Sequence, residues 1–262
     1  MPPRKFKKGK NAFAKKRQAN ATTKSFEKKV EQIAQKVADK DIETKQAYHI
    51  MAPTNFNSGI DTAGDAIRIL PNVSQGVDVS NRIGNRVTAK KLTLTGAMSW
   101  SPSIGQFGTF ANARLGVRLF VIQPRQYSQI GDVLANTATW MPNLLQKGST
   151  ATAFTGQIND LWAPVNTEAF IKYYDRVFYL TGTYQATAVG MTQLLGATKI
   201  FKIKLDCHNK IVKYENAISS VNPTNYAPVF CIGYAHMDGS GPDVASTAIT
   251  VQWDAVFDYD DA

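Results

Sequence analysis

Beyond about Ala52 apolar and polar residues alternate with a period of two, the pattern of half-buried strands. Leu92, Leu94, Gly96, Met98 and Trp100 alternate with Thr93, Thr95, Ala97 and Ser99. In Leu115–Ile122 the second set, Gly116, Arg118, Phe120 and Ile122, is itself half apolar, so this strand is expected to be partly buried on both faces. Shorter patterns place strands at Glu168–Tyr173, Arg176–Gly182, Lys199–Asp206, Lys210–Tyr214, Val229–His236 and Ile249–Phe257, eight in all and none with an internal proline. Turn residues separate them at Pro102–Gly105, Cys207–Asn209, Asn222–Asn225 and Gly239–Pro242. A long connection, Pro124–Asn166, is expected to hold helical turns near Ile130–Leu134 and Asn143–Gln146. Eight strands with long excursions predict an all-β fold, an eight-stranded antiparallel jelly-roll sandwich of two four-stranded sheets. No internal repeat of propeller or solenoid length is present.

Upstream the period changes. Phe26, Val30, Ile33, Ala34 and Val37 form one stripe of a 3.6-residue repeat, which predicts an amphipathic helix over about residues 25–40. Ser25 suits the N-cap, Glu27 the first turn, and Lys28, Lys29, Lys36 and Lys40 the opposite face. Charge then divides the chain. Residues 1–50 hold fourteen cations against five acids, +9 of the net +10, while residues 51–262 hold sixteen against fifteen. The chain therefore reads as a basic arm, disordered or helical, over 1–50 and a nearly neutral body over 51–262. Arg4, Lys5, Lys7, Lys8, Lys10, Lys15, Lys16, Arg17, Lys24, Lys28 and Lys29 are the candidate nucleic-acid contacts, binding phosphates by counterion release. A solubilising or nuclear-localisation tail is the alternative. Phe6 and Phe13 alone do not supply the apolar face of a membrane-binding helix.

Other chemistry is sparse. No aliphatic–aromatic run is longer than Leu119–Ile122, far too short to span a membrane, and no apolar stretch follows the basic start as in a secretory signal. Cys207 and Cys231 make no disulfide framework and are expected to be buried free thiols. His208 adjoins Cys207, but neighbours in an extended segment point to opposite faces, so the two make a poor dyad. No metal-ligand spacing, nucleophile elbow or phosphate loop occurs, and no enzyme is expected. Asp254, Asp258, Asp260 and Asp261 crowd one end. They are either a solvated acidic terminus or a calcium site completed by a neighbouring subunit, with Asp258, Asp260 and Asp261 as ligands. No cofactor is otherwise expected.

Asp78–Thr95 reads DVSNRIGNRVTAKKLTLT, a polar segment with an Arg-x-Gly centre leading into a long strand. Later stretches are FIKYYDRVFYLTG (Phe170–Gly182), KIFKIKL (Lys199–Leu205), PVFCIGY (Pro228–Tyr234) and VQWDAVFDYDDA (Val251–Ala262). In this order, behind a basic arm, they resemble the single jelly-roll coat proteins of small icosahedral viruses, those of satellite tobacco necrosis virus and of circular single-stranded DNA viruses. There Asp78–Thr95 corresponds to the start of the jelly roll and its first strand. The resemblance implies sheets ordered B-I-D-G and C-H-E-F and a T=1 shell of about sixty copies. It also implies an internal arm holding the viral genome, for which single-stranded DNA is favoured over RNA, and calcium at subunit contacts with Asp261 at the matching position. A virion location follows, with passage through the host nucleus and its import machinery during assembly. Trp140, Trp162 and Tyr226 are candidate intersubunit contacts or core. The rival readings are a host nucleic-acid-binding or chaperone-like jelly roll with a basic tail, and a jelly-roll sugar-binding enzyme or lectin. A lectin would be expected to carry a secretion signal or metal cluster.

Overall fold

The computed structural model describes residues 25–32, 43–61, 63–78, 80–100, 112–186, 192–195, 197–215, 220–239, 241–242 and 249–261. The chain divides into two units, Met1–Glu43 and Thr44–Ala262. In the first, residues 25–32 form a helix, α1, with all eight side chains exposed, Phe26 and Val30 among them. The rest of the expected helix lies outside the described residues.

The second unit is a jelly roll. Its strands are β1 (Glu43–Phe56), β2 (Ala66–Arg68), β3 (Arg86–Trp100), β4 (Asn112–Pro124), β5 (Leu145–Lys147), β6 (Thr150–Thr152), β7 (Phe170–Ala186), β8 (Thr192–Leu195), β9 (Ala197–Lys213), β10 (Val229–His236) and β11 (Ile249–Asp261). One sheet runs β1-β11-β3-β9 and the other β2-β10-β4-β7-β8, while β5 and β6 make a separate hairpin. In chain order this is the B-I-D-G and C-H-E-F arrangement, with β8 added beyond F. The β3–β9, β3–β11, β4–β10 and β4–β7 pairs are all antiparallel.

Eight jelly-roll strands were expected and eight are present, but they are not the same eight. Glu168–Tyr173 and Arg176–Gly182 fuse into β7, which absorbs its irregularity as a bulge opposite Val121 and Ile122. Lys199–Asp206 and Lys210–Tyr214 fuse into β9, and the turn expected at Cys207–Asn209 becomes an insertion opposite Lys90. His208 and Asn209 adopt left-handed backbone there, φ 49° and 55°, and the Asp206 carboxylate accepts the His208 N–H at 2.8 Å. The two remaining strands, β1 and β2, precede the Arg-x-Gly segment, so β3 is the third jelly-roll strand rather than the first. β1 also begins inside the stretch assigned by charge to the arm.

Burial explains the patterns. Alternate residues of β3 and β9 (Leu92, Leu94, Met98; Phe201, Ile203, Leu205) meet Leu119, Val121, Phe230 and Ile232 between the sheets. β10 is buried along its whole length, because the connection after β4 covers its second face. That connection contains α2 (Ile130–Ala135) and α3 (Thr137–Trp140), and it packs Trp140, Leu144 and Phe154 on Phe120, Ile122 and Cys231. Of the second helical turn foreseen, Asn143–Gln146, only Asn143 is helical, closing a 3-10 turn over Met141–Asn143, while Leu145 and Gln146 open β5. A Cβ at Gly233 would overlap the Phe154 ring, so close approach of the connection requires glycine there. Arg118, 3% exposed, fixes the cover to the sheet. Its guanidinium forks onto Asp175 at 2.7 and 2.8 Å and donates to the Asp160 and Ala163 carbonyls at 2.6 and 2.7 Å.

Candidate nucleic-acid interface

Lys28 and Lys29 lie on α1 and are exposed. Arg4, Lys5, Lys7, Lys8, Lys10, Lys15, Lys16, Arg17 and Lys24 lie outside the described residues. On the body, Lys202 and Lys204 alternate with buried Phe201, Ile203 and Leu205 and so stand on the outward face of the β1-β11-β3-β9 sheet. Their register partners on β3 are Thr95 and Thr93, and beyond Thr95 lies Asp254 of β11. That face also carries exposed Tyr48, Ile50 and Ile200. It mixes charges and apolar groups and forms no continuous basic stripe, in keeping with the near-neutral charge of the body.

The C-terminal aspartates are engaged within the chain. Asp258 accepts from Gln46 at 2.7 Å, and Asp260 accepts from Thr44 at 2.9 Å and pairs with Lys90 at 2.6 Å. Asp261 is buried: its Oδ2 receives the Ile83 N–H at 2.6 Å and Lys45 Nζ at 3.1 Å, and Lys45 also donates to the Asn81 carbonyl at 2.9 Å. Among the described residues the buried Asp261 Oδ1 has no hydrogen-bond partner. These contacts clasp β11 to β1 and to the loop before β3. Among the described residues, no three His, Cys, Asp or Glu side chains are grouped so as to hold a metal ion. Lys45 and Lys90 escaped the sequence reading because they lie far from the aspartates in the chain, and Lys45 had been counted with the arm.

The Arg-x-Gly segment is structural in the same sense. Arg82 is fully buried and donates to the carbonyls of Gly84 and Ser220, and its guanidinium lies 4.5 Å from the Tyr214 ring centre. Trp140 and Tyr226 belong to the core, Trp140 donating to the Val133 carbonyl at 2.8 Å, whereas Trp162 is 63% exposed. Both cysteines are free and buried, as expected, and burial pushes both thiols up from their ordinary range. His208 is exposed beside buried Cys207. Among the described residues no helix is long and apolar enough to cross a membrane. No protein-family model matches the chain, and no curated protein matches it.

Proposed function

We propose that the chain is a viral coat protein whose jelly-roll body self-assembles into a small icosahedral shell and whose basic arm packages a small single-stranded genome, DNA in preference to RNA. The observation that carries this reading is the separation of charge along the chain. Residues 1–43 hold thirteen cations against five acids, whereas residues 44–262, the folded jelly roll, hold seventeen against fifteen. Evenly spread charge would serve solubility as well. Charge concentrated outside the jelly roll suits phosphates met over an extended path, without base reading. With about sixty copies per shell, arms of this charge bring on the order of 500 positive charges to the lumen. That matches a genome of about one to a few kilobases once mobile cations take their share. In this reading the protein resides in the virion and enters the host nucleus through its import machinery during assembly. The calcium site suggested by the C-terminal aspartates is not carried into it, since Lys45 and Lys90 already neutralise Asp261 and Asp260.

Negative-stain microscopy of the purified chain tests the assembly: uniform spheres are expected. Discrete small oligomers would favour the host nucleic-acid-binding or chaperone-like alternative. Deleting Met1–Asn20 removes eight cations and none of the jelly-roll strands. Particles should still form, with the 260/280 absorbance ratio falling to that of protein alone. Wild-type nucleic-acid content in such particles would move packaging away from the arm.

A further inference from the structure

A pocket of about 490 Å³ opens beside the start of β7 and the insertion in β9. Lys172, Lys204 and Lys210 line it, with Tyr173 and Tyr226 among the apolar residues of its wall. The aromatic wall is fixed. The two tyrosine rings meet edge to face at 5.9 Å, Tyr173 donates to Gln123 Oε1 at 3.2 Å, and the Tyr226 hydroxyl lies 3.8 Å from the Cys207 sulfur. Tyr226 is buried under Lys210, whose ammonium sits 4.7 Å from its ring centre, and Tyr173 is half-buried. Against three lysines the lining holds one acid, Asp206, whose side chain is turned largely to solvent beside His208. Lys172 makes a long 3.9 Å approach to Asp175. The insertion Cys207–Asn209 separates Lys204 from Lys210 in the chain, yet both line this opening.

A concave site of this size with a rigid aromatic wall and excess positive charge matches the two halves of a nucleotide. We propose that this pocket seats one nucleotide of a single-stranded nucleic acid, its base against Tyr173 and its phosphate among Lys172, Lys204 and Lys210. A duplex keeps its bases stacked and offers none to the wall, so the ligand is a single strand. The inference rests on the nucleic-acid reading above for its macromolecule but needs no residue of the arm.

The test is photo-crosslinking of the full-length chain to an oligo(dT) carrying 5-bromodeoxyuridine, followed by peptide mapping. Adducts are expected at Tyr173 as well as in residues 1–50. The double substitution Lys172→Glu/Lys204→Glu alters two exposed side chains, so the melting temperature should hold while the Tyr173 adduct falls about tenfold and the arm adducts persist. Thymidine monophosphate should compete for Tyr173 labelling at a concentration at least tenfold below that of inorganic phosphate. Adducts confined to the arm would overturn the pocket and leave packaging intact, whereas no adduct anywhere would overturn both. Equal competition by inorganic phosphate, or a Tyr173 adduct indifferent to the two glutamates, would also overturn it.

Discussion

Replacing Lys45 with methionine keeps the aliphatic stem of the side chain and removes only the ammonium. The Asp261 carboxylate would then retain a single donor, the Ile83 N–H, and the Asn81 carbonyl would lose the lysine. Both charged side chains are almost fully enclosed, 3% and 1% exposed, and their 3.1 Å separation gives an attraction of about 5 kcal/mol at an effective dielectric near 20. Much of that offsets the desolvation of the two ions, but removing one partner strands the other charge, which costs about 3–5 kcal/mol. In a domain of this size such a loss lowers the melting temperature by roughly 6–20 °C. Urea unfolding at fixed protein concentration is the assay, since any self-association would couple to apparent stability. Adding Asp261→Asn to Lys45→Met should recover part of the loss, because a neutral pair strands no charge. A loss under about 1 kcal/mol, the range of exposed pairs, would refute the clasp, as would strict additivity of the two substitutions.

Burial and the nearby Arg68 guanidinium hold His49 below its ordinary value of 6.5, so the folded state favours neutral imidazole. Stability should therefore be full above pH 6.5 and decline as pH falls through the lowered folded value, with His49→Gln flattening that limb of a urea-midpoint series. A chelator should leave the melting temperature unchanged at neutral pH, because lysines already neutralise Asp260 and Asp261. A drop of more than a few degrees would restore a structural cation there.

The interior of the sandwich was legible because alternation is imposed by the pleat itself: every second residue of Leu92–Trp100 is buried or packed inward. β10 was found whole, since a short apolar run bounded by turn residues leaves little choice of ends. β1 was missed for a physical reason. It lies at a sheet edge, its outward residues Thr44, Gln46, Tyr48 and Ile50 mix polar and apolar groups, and one of its buried positions is the paired Lys45. No hydrophobic pattern marks a strand whose anchor is a lysine. β2 is three residues long, below what periodicity can register. The candidate pocket was beyond sequence reading because Lys172, Lys204 and Tyr226 converge only through the insertion in β9 and the docking of two sheets.

The pairing of β1 with β11 also dictates an order of events during synthesis. The first strand of the jelly roll has as its neighbour the last, and the bond from Thr44 to Asp260 spans 216 residues. β3 and β9 cannot bring β1 into their sheet without β11 between them. Folding is thus dominated by distant pairings and cannot finish before β11 has been made, which makes it slow. Throughout that interval the cationic N-terminal segment is already outside the ribosome, attached to an unfinished domain. Polyanions near the site of synthesis therefore meet the arm before they meet a folded body.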